Sequence, residues 1–423
     1  MGKTTTKFEL VEIEKLIPYI NNARTHSPAQ ILKLRASLRE FGFINPVIID
    51  GNYNIIAGHG RVIAAREEGI KLIPCVYVDF LTEAQKKAYI LADNRMALDA
   101  GWDEEILRNE LEALEAESFD LNLTGFDPEE ISDLFDTNEA EEDEFNEADP
   151  LPENPYSQLG DIFLLGNHRL ICGDSTKIET IKALVENNEI DMIFTDPPYN
   201  VDYEGGTGMK IDNDAMTPEE FKVFLSKAFA NMASVTKNGA PFYVCHSDVE
   251  SVNFGLALEG AGFNFTEEIV WVKNNFVFGQ KDYHVRHELM MYGWKKGKAH
   301  YFVNDRTQDT VWEYNKPKKN DLHPTMKPVE LVARAIKNSS KLSAKVLDIF
   351  GGSGTTLIAA DQLQRTAFLA ELKPVYVDVV VKRYIRYAQD YENCFLIRGD
   401  KKIPIKDIPD YQVLELENPS NNA

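Results

Sequence analysis

The tetrapeptide Asp196-Pro197-Pro198-Tyr199 places a carboxylate and an aromatic ring directly after the largely apolar run 190–194. Two prolines cannot continue a strand or a helix, so the acid and the ring are expected at the rigid carboxyl end of a buried strand. There the carboxylate and a backbone carbonyl of the diproline can accept hydrogen bonds from the exocyclic amine of adenine, which directs its lone pair at an incoming methyl group. Tyr199 can stack on a base that is flipped out of a duplex or single-stranded.

A second group of residues could bind a nucleoside. Asp348 and Phe350 lead into a glycine-rich turn at a predicted strand-to-helix junction, where Gly352 and Gly354 let a ligand pack against bare backbone. Glu371 ends the next predicted strand and suits the hydroxyl groups of a ribose. The glycine spacing fits neither a Walker loop nor a dinucleotide fingerprint, so it indicates a nucleoside without a phosphate tail, with S-adenosylmethionine as the leading candidate.

The order of these two motifs resembles that of the β group of DNA amino-methyltransferases, and the resemblance covers residues 159–410. It implies that the Asp-Pro-Pro-Tyr element holds the target amine and that the element from Phe350 to Gly354 binds S-adenosylmethionine. It also implies a cofactor role for Asp174, which stands where the group has an acid for the cofactor's adenine. Thr325 and Lys327 belong to an element that the group places at the methionine end of the cofactor.

The first residue of the tetrapeptide bears on which base is modified. The family usually pairs Asp-Pro-Pro-Tyr with adenine and Ser-Pro-Pro-Tyr with cytosine, so Asp196 implies transfer to the N6 amine of adenine in double-stranded DNA. Transfer to the N4 amine of cytosine stays open as an alternative. A non-catalytic DNA-binding regulator is a further alternative, against which the intact motif residues argue.

Residues 271–320 combine 10 basic and 5 acidic side chains with several aromatic ones. In the β order, target recognition falls between the two motifs. We therefore expect basic side chains of this segment to hold DNA phosphates while a few polar ones read base edges. The residues expected to contact DNA are Lys273, Lys281, Arg286, Lys295, Lys296, Lys298 and Arg306.

The net charge of −23 is concentrated in one part of the chain, because residues 81–150 hold 23 acidic and 4 basic side chains. The acidity therefore does not exclude DNA binding elsewhere. No apolar run reaches the roughly 18 residues of a membrane span, so no membrane partner is expected. The four cysteines form no CxxC pair, which favours a reducing compartment, the cytoplasm of a bacterial or phage-infected cell, and no metal site is expected.

Residues 1–80 resemble the ParB and sulfiredoxin-like domain, a small α+β module used by partition proteins for nucleotide-dependent work on DNA. Where partition proteins carry Gly-Glu-Arg-Arg, this chain reads Gly58-His59-Gly60-Arg61, and the missing acid and arginine count against a bound cytidine triphosphate. The sulfiredoxin cysteine is absent from this junction. Additional DNA contacts, pairing of two subunits into a homodimer and a structural role stay open for this module.

Alternating strand and helix patterns from residue 159 onward predict an α/β fold, with a doubly wound, mostly parallel, Rossmann-like sheet. Local patterns also predict a hairpin that turns at Gly166-Asn167 and a strand over 288–292, and in the amino-terminal part a helix over 28–41 and a helix capped by Asp103. The segments expected around it are the ParB-like domain at 1–80, a helical extension at 81–135, a solvated acidic linker at 136–158, the methyltransferase domain at 159–410 with target recognition at about 271–320, and a tail at 411–423.

Overall fold

The computed structural model describes residues 7–20, 22, 24–99, 101–136, 138–143, 145, 154–201, 215–277, 282–303, 305, 307–315 and 326–414. The chain divides into two compact units, residues 1–137 and 138–423. Within the described ranges no helix has both the length and the apolar character needed to cross a bilayer.

The first unit is built on a four-stranded sheet. Its strands are β1 (Lys7–Glu12), β2 (Val47–Ile49), β3 (Ile55–Ala57) and β4 (Leu72–Tyr77), in the order β1-β4-β2-β3. Helix α1 (Pro28–Phe41) begins as the sequence predicts, because the Ser27 hydroxyl accepts a hydrogen bond from the Gln30 amide at 3.1 Å and proline occupies the first turn. Helix α2 (His59–Glu67) follows Gly58, whose φ of 101° places it in the left-handed region.

The polar side chains in the first turn of α2 form hydrogen bonds with the backbone of the same unit. The His59 ring accepts a hydrogen bond from the Tyr19 amide at 3.3 Å, and Arg61 donates to the carbonyl of Pro46 at 3.3 Å. Three helices then continue the unit: α3 (Glu83–Asp99), α4 (Glu104–Ala116) and α5 (Pro128–Leu134). Asp103 caps α4 by accepting a hydrogen bond from the Ile106 amide at 3.1 Å, which confirms the predicted helix start.

The second unit contains a sheet in which the structure describes eleven strands. They are β5 (Ile162–Leu165), β6 (His168–Cys172), β7 (Met192–Thr195), β8 (Pro241–His246), β9 (Phe263–Val277), β10 (Val285–Lys295), β11 (Val311–Glu313), β12 (Lys345–Asp348), β13 (Thr366–Glu371), β14 (Cys394–Arg398) and β15 (Lys401–Pro404). Their order across the sheet is β11-β9-β10-β8-β7-β12-β13-β6-β5-β14-β15.

Helices cover both faces of this sheet, which confirms the α/β class. Their bounds are α6 (Ile178–Val185), α7 (Pro218–Ser234), α8 (Ser251–Gly260), α9 (Val329–Ser339), α10 (Thr355–Gln362) and α11 (Pro374–Ala388). One buried cluster contains side chains of α9, α10 and α11, and the other contains side chains of α6, α7 and α8. Met192 and Phe194 of β7 lie in the first cluster and Ile193 in the second, as the alternation of a strand requires.

The parallel part of the sheet is narrower than the expected mostly parallel arrangement. Strands β8, β7, β12, β13 and β6 run parallel to their neighbours in this group. On one side β10 pairs antiparallel with both β8 and β9, and on the other β5, β6 and β14 pair antiparallel. The predicted hairpin through Gly166 and Asn167 is one source of these antiparallel pairs, because a two-residue turn can join only antiparallel strands.

The expected linker and tail both differ from the structure at particular residues. The side chain of Asp143 is only 8% exposed and pairs with Arg383 of α11, so this part of 136–158 is not a solvated linker. Tyr411, at the start of the expected tail, is fully buried and donates a hydrogen bond to Asp378 at 2.6 Å. The composition of this segment shows its acidic residues, but it does not show that Asp143 pairs with the buried Arg383.

Candidate active site

Strands β7 and β12 are neighbours in the sheet although 151 residues separate Asp196 from Asp348. Val346 and Leu347 of β12 pair in parallel with Met192 and Ile193 of β7. The carboxyl ends of the two strands therefore lie side by side, about 4.8 Å apart. The tetrapeptide 196–199 and the glycine turn after β12 therefore lie at the same edge of the sheet, where open α/β sheets bind their ligands.

Asp348 ties these strand ends together. Its carboxylate accepts hydrogen bonds from the Thr195 hydroxyl at 2.8 Å, the Thr356 hydroxyl at 2.7 Å and the Phe350 amide at 3.1 Å. Burial raises its pKa to about 6, although these donors act in the opposite direction. Asp348 was expected to bind the cofactor, whereas its described contacts join β7, β12 and α10.

Asp196 is held by two neighbours. The Tyr199 hydroxyl donates to its Oδ1 at 2.7 Å, and the Lys327 ammonium donates to its Oδ2 at 2.5 Å. Burial raises the pKa of Tyr199 well above its ordinary value, as do the nearby carboxylates of Asp196 and Glu288, so its phenol keeps the proton that it donates. Lys327 was expected at the methionine end of the cofactor, and its described ammonium contacts are with Asp196, Tyr199 and Glu288.

A further acid, Glu288 of β10, completes a chain of charges beside Asp196. Glu288 lies 3.1 Å from Lys327 and is also hydrogen-bonded to Lys273 of β9. Burial opposes ionisation of Glu288, but the two ammonium groups outweigh it and lower its pKa to about 2. Burial alone would lower the pKa of Lys327, whereas Asp196 and Glu288 raise it well above its ordinary value. Acidic and basic side chains therefore alternate along this network, in the order Asp196, Lys327, Glu288 and Lys273.

The glycine turn after β12 is held by Glu371 at the end of β13. Its carboxylate accepts the Gly352 amide at 2.9 Å and the Lys373 amide at 2.8 Å. Burial raises the pKa of Glu371 to about 7, against the effect of these two donors. Gly354 is the N-cap residue of α10, and its φ of 85° lies in the left-handed region. The Phe350 side chain is half-buried, with its ring 5.8 Å from that of Phe224.

Asp174 lies at the neighbouring strand end. It follows β6, and the preceding Gly173 donates its amide to the carbonyl of Glu371 at 2.8 Å. The Asp174 carboxylate accepts the amide and hydroxyl of Thr176, and 31% of its side chain is exposed. The structure thus brings together Asp174, Glu371 and the glycine turn, which are the features expected to bind the cofactor.

The carboxylates of Asp174 and Glu371, together with the glycine turn, fit the ribose and the base of a nucleoside. The ionised Glu371 carboxylate has acceptor capacity beyond its two amide bonds, so it can also accept ribose hydroxyl groups. A Cβ on Gly354 would lie 2.8 Å from Val380, so the backbone turn stays close to α11 only with glycine here. Glu371 and Gly352 would hold the ribose side of S-adenosylmethionine and Asp174 its adenine side.

Several residues expected to bind DNA lie in places that differ from that expectation. Lys273 is buried on Glu288, so its ammonium does not face a solvent-side phosphate. Lys295 donates to the carbonyls of Ala233 and Thr236 at 2.7 and 2.6 Å and so completes the end of α7. Lys296 and Lys298 are exposed. The expected site residues Lys281, Arg306 and Thr325 lie outside the described residues.

The register of β10 shows at which end of the strand each of the remaining basic residues lies. Leu289 pairs with His246 at the carboxyl end of β8, whereas Trp294 pairs with Pro241 at its beginning. Lys296 and Lys298 follow Trp294 and therefore lie at the sheet edge opposite Asp196, about 20 Å along the strand. Arg286 is exposed and precedes Glu288, so it lies at the same edge as the tetrapeptide.

Sequence reasoning did not identify Glu288 or Arg383 as functional residues. One signal was present for Glu288, since it is an acid at the head of the predicted strand 288–292, whose other members are apolar or aromatic. Such an acid is costly to bury without a cationic partner. Its partners lie 15 and 39 residues away, so no local pattern could supply them.

Models of three protein families match this chain. Residues 190–382 match the DNA methylase family, residues 2–94 the ParB N-terminal domain, and residues 105–159 the ParB-methyltransferase HTH domain. The last match crosses the expected border between the helical extension and the linker. The first two agree with the resemblances read from the motifs.

Curated relatives are similar to parts of this chain. The ParB-like nuclease domain-containing protein YnaK of Escherichia coli K12 is 45% identical over 75 residues, which are 18% of this chain and 86% of that protein. The type II methyltransferase M2.LlaDCHI of Lactococcus lactis subsp. cremoris is 29% identical over 243 residues, 51% of this chain and 89% of that protein. The solved complex of M1.HpyAVI with SAM matches at 24% identity and a TM-score of 0.42, over 51% of this chain and 97% of that one.

Proposed function

The chain combines a DNA methylase domain with a ParB N-terminal domain, and from this premise we propose that it uses S-adenosylmethionine to methylate the N6 amine of adenine in a specific sequence of double-stranded DNA. The observation that carries the proposal is the adjacency of β7 and β12, which sets the Asp196 carboxylate beside the glycine turn. A methyl group can pass between two ligands held at neighbouring strand ends without movement of the sheet.

Asp196 would orient the amine. When bound, S-adenosylmethionine supplies a sulfonium methyl group whose bonding electron pair stays on sulfur as the methyl leaves. Each Asp196 oxygen accepts one described hydrogen bond and retains a lone pair. The carboxylate and the Pro197 carbonyl can therefore accept the two amine protons of adenine, which leaves the nitrogen lone pair directed at the methyl group. Pro198 keeps the turn rigid.

Lys327 and Tyr199 would fix the acid during this step. Lys327 balances the charge of Asp196 and is itself anchored by Glu288, so the carboxylate cannot rotate freely. The Tyr199 ring lies 5.7 Å from the Lys327 ammonium, which leaves this aromatic ring beside the acid for stacking on a base. A base inside a duplex could not reach the site, so base flipping is part of the proposal.

The choice of adenine over cytosine N4 rests on the carboxylate at position 196. The resemblance associates an acid at this position with adenine and a serine with cytosine, whereas the acceptor capacity of a carboxylate suits the two protons of either amine. Curated relatives of type II are similar to this chain over about half its length, and the matched DNA methylase family spans residues 190–382.

The test is methyl transfer by the full chain to unmodified genomic DNA, followed by digestion to nucleosides and mass spectrometry. We expect N6-methyldeoxyadenosine as the product. Asp196→Ala should lower kcat by about 10²–10³-fold or more, because the amine loses its charged acceptor. Asp400→Asn, at an exposed carboxylate in the turn between β14 and β15, is the matched control and should be unchanged.

Calorimetric binding of S-adenosylmethionine separates the possible failures. Asp196→Ala should bind the cofactor with nearly unaltered affinity, because Asp196 makes no described contact with the glycine turn. Methylated cytosine in the digest would overturn the adenine assignment. Absence of any modified base, with the cofactor bound, would indicate a DNA-binding regulator instead.

A further inference from the structure

The described residues of the acidic segment 138–145, here called the acidic strap, lie along the helices α9, α10 and α11. Lys337 of α9 donates its ammonium to the Asn138 carbonyl at 2.8 Å. Glu141 and Gln362 of α10 exchange two hydrogen bonds, from the Glu141 amide at 2.8 Å and to the Glu141 carbonyl at 3.1 Å. The strap is therefore bound by its backbone before its acidic side chains are considered.

The strongest contact of the strap is the ion pair of Asp143 with Arg383. The Arg383 Nε and Nη2 each donate to one Asp143 oxygen at 2.7 Å, which is the two-pronged geometry that arginine forms with carboxylates. Arg383 is only 1% exposed. The Phe145 ring lies 4.6 Å from the guanidinium carbon and covers it. A buried cation of this kind needs its anion, because unpaired it would bear the full cost of desolvation.

The third nitrogen of the same guanidinium contacts the glycine turn. Arg383 Nη1 donates to the carbonyl of Ser353 at 3.1 Å and to the hydroxyl of Thr355 at 3.1 Å. Ser353 lies between Gly352 and Gly354, and Thr355 begins α10. One rigid, planar group thus connects the strap to the backbone on which the cofactor is expected to rest.

A second acid of the strap contacts the beginning of α9. The Glu142 carboxylate accepts the Glu330 amide at 3.4 Å, one of the amides that a helix leaves unpaired in its first turn. Helix α9 starts at Val329, two residues after Lys327. Glu142 therefore helps to fix the helix that positions the ammonium group bound to Asp196.

We propose that the acidic strap is a positioning element of the methyltransferase site: Asp143 holds the glycine turn through Arg383, and Glu142 holds the start of α9 and with it Lys327. Neither acid touches the reacting atoms. Without the Asp143 charge, Arg383 reorients toward water or other acceptors and releases Ser353 and Thr355. The cofactor then meets a turn that must first be ordered, so its binding weakens while the chemistry at Asp196 continues.

The inference rests on the proposed function for the identity of the cofactor, and the test separates the two. Asp143→Asn keeps the size of the side chain and removes its charge. In the full-length protein we expect the calorimetric Kd and the KM for S-adenosylmethionine to rise by about tenfold or more, with kcat at saturating cofactor within about threefold of wild type. The KM for DNA should not change. Glu139→Gln, at an exposed strap acid, is the matched control.

Each outcome decides a different point. Failure of the wild-type protein to bind S-adenosylmethionine would contradict the proposed function. Wild-type binding with an unaltered Kd in Asp143→Asn would overturn the strap inference, as would a lower melting temperature with no change in Kd. If Asp143→Asn does not fold, Asp143→Glu, which keeps the charge and displaces it by one methylene group, is judged by the same criterion. Its Kd should rise, and an unaltered value would overturn the inference.

Discussion

Asp196 is already hydrogen-bonded on both oxygens before a base arrives. Tyr199 and Lys327 use one acceptor site each, and Glu288 compensates the Lys327 charge on its other side. A buried ion pair contributes little net stability, because desolvation offsets the Coulomb attraction. The network is therefore better understood as a device that fixes the direction of one carboxylate than as a source of stability.

At the same scale, the raised pKa of Glu371 predicts a pH dependence of cofactor binding. Its value of about 7 lies above the ordinary 4.5 because the carboxyl is buried. In the free protein the raised pKa favours the protonated carboxyl of Glu371. The stability that the protonated Glu371 contributes is therefore lost as pH rises from about 4.5 to about 7. Ribose binding favours the ionised form, so affinity for S-adenosylmethionine should fall below about pH 7, by up to about tenfold per pH unit.

Calorimetry between about pH 6 and pH 8 measures this dependence. Glu371→Gln should bind more weakly at every pH and lose most of the slope, because its side chain does not titrate in this range. An equal slope in the wild type and in Glu371→Gln would show that another group is responsible.

Elements with a local signal were predicted with the greatest accuracy. Helix α1 spans the predicted residues 28–41, and the hairpin of β5 and β6 turns at the predicted Gly166-Asn167. Both depend on neighbouring residues, namely a serine cap with a proline and a two-residue turn. The strand alternation predicted a sheet with ligands at the carboxyl ends of its strands, but not which strands are neighbours; the register shows that β7 pairs with β12.

Contacts between distant segments escaped prediction for a physical reason. The Lys327 partner Asp196 directly follows β7, the partner of Lys273 is on β10, and that of Asp143 is on α11. The charge and hydropathy of each residue can be read from the sequence, but its contact partners from distant segments cannot. A lysine that neutralises a buried acid therefore looks, in the sequence, like a lysine for DNA.

At the level of elements, the junction of β12 with α10 predicts a steric effect of substitution at Gly354. In Gly354→Ala the new Cβ would meet Val380 at 2.8 Å, in addition to the left-handed φ of 85°. Gly399 has a φ of 59° and nothing within 4 Å of such an atom, so Gly399→Ala measures the backbone cost alone, about 1–2 kcal/mol. We expect Gly354→Ala to be the more destabilising of the two in urea unfolding and to weaken binding of S-adenosylmethionine.

A compensating variant tests the steric origin of that effect. Val380→Ala removes the two methyl groups nearest the new Cβ. In the Gly354→Ala and Val380→Ala double variant, the two substitutions should therefore cost less together than the sum of their separate effects. Additive costs would show that the overlap is relieved in some other way.

For the molecule as a whole, the register of β10 decides which basic residues face a DNA duplex at the site. Arg286 lies at the sheet edge of Asp196, and Lys298 lies beyond the opposite end of the same strand. In the proposed function, DNA approaches the edge at which the flipped base enters. We therefore expect a positive charge there to contact phosphate and one at the far edge not to.

This arrangement predicts unequal effects of two charge deletions on DNA binding. Arg286→Ala should raise the Kd for duplex DNA by about fivefold and reduce the slope of log K against log salt by about 1, because one phosphate contact is lost. Lys298→Ala removes the same charge at the far edge and should leave both quantities nearly unchanged. Fluorescence anisotropy of labelled duplex over a range of salt concentrations measures both variants, and equal effects would contradict this placement of the DNA.

The adjacency of β7 and β12 also bears on how such chains can evolve. The elements expected to bind the amine and the cofactor meet by lateral pairing in the sheet, while 151 residues of chain run between Asp196 and Asp348. Their geometry depends on which strands touch and not on which is synthesised first. A gene rearrangement that moved one block ahead of the other, with the sheet pairing kept, would leave the reacting groups where they are.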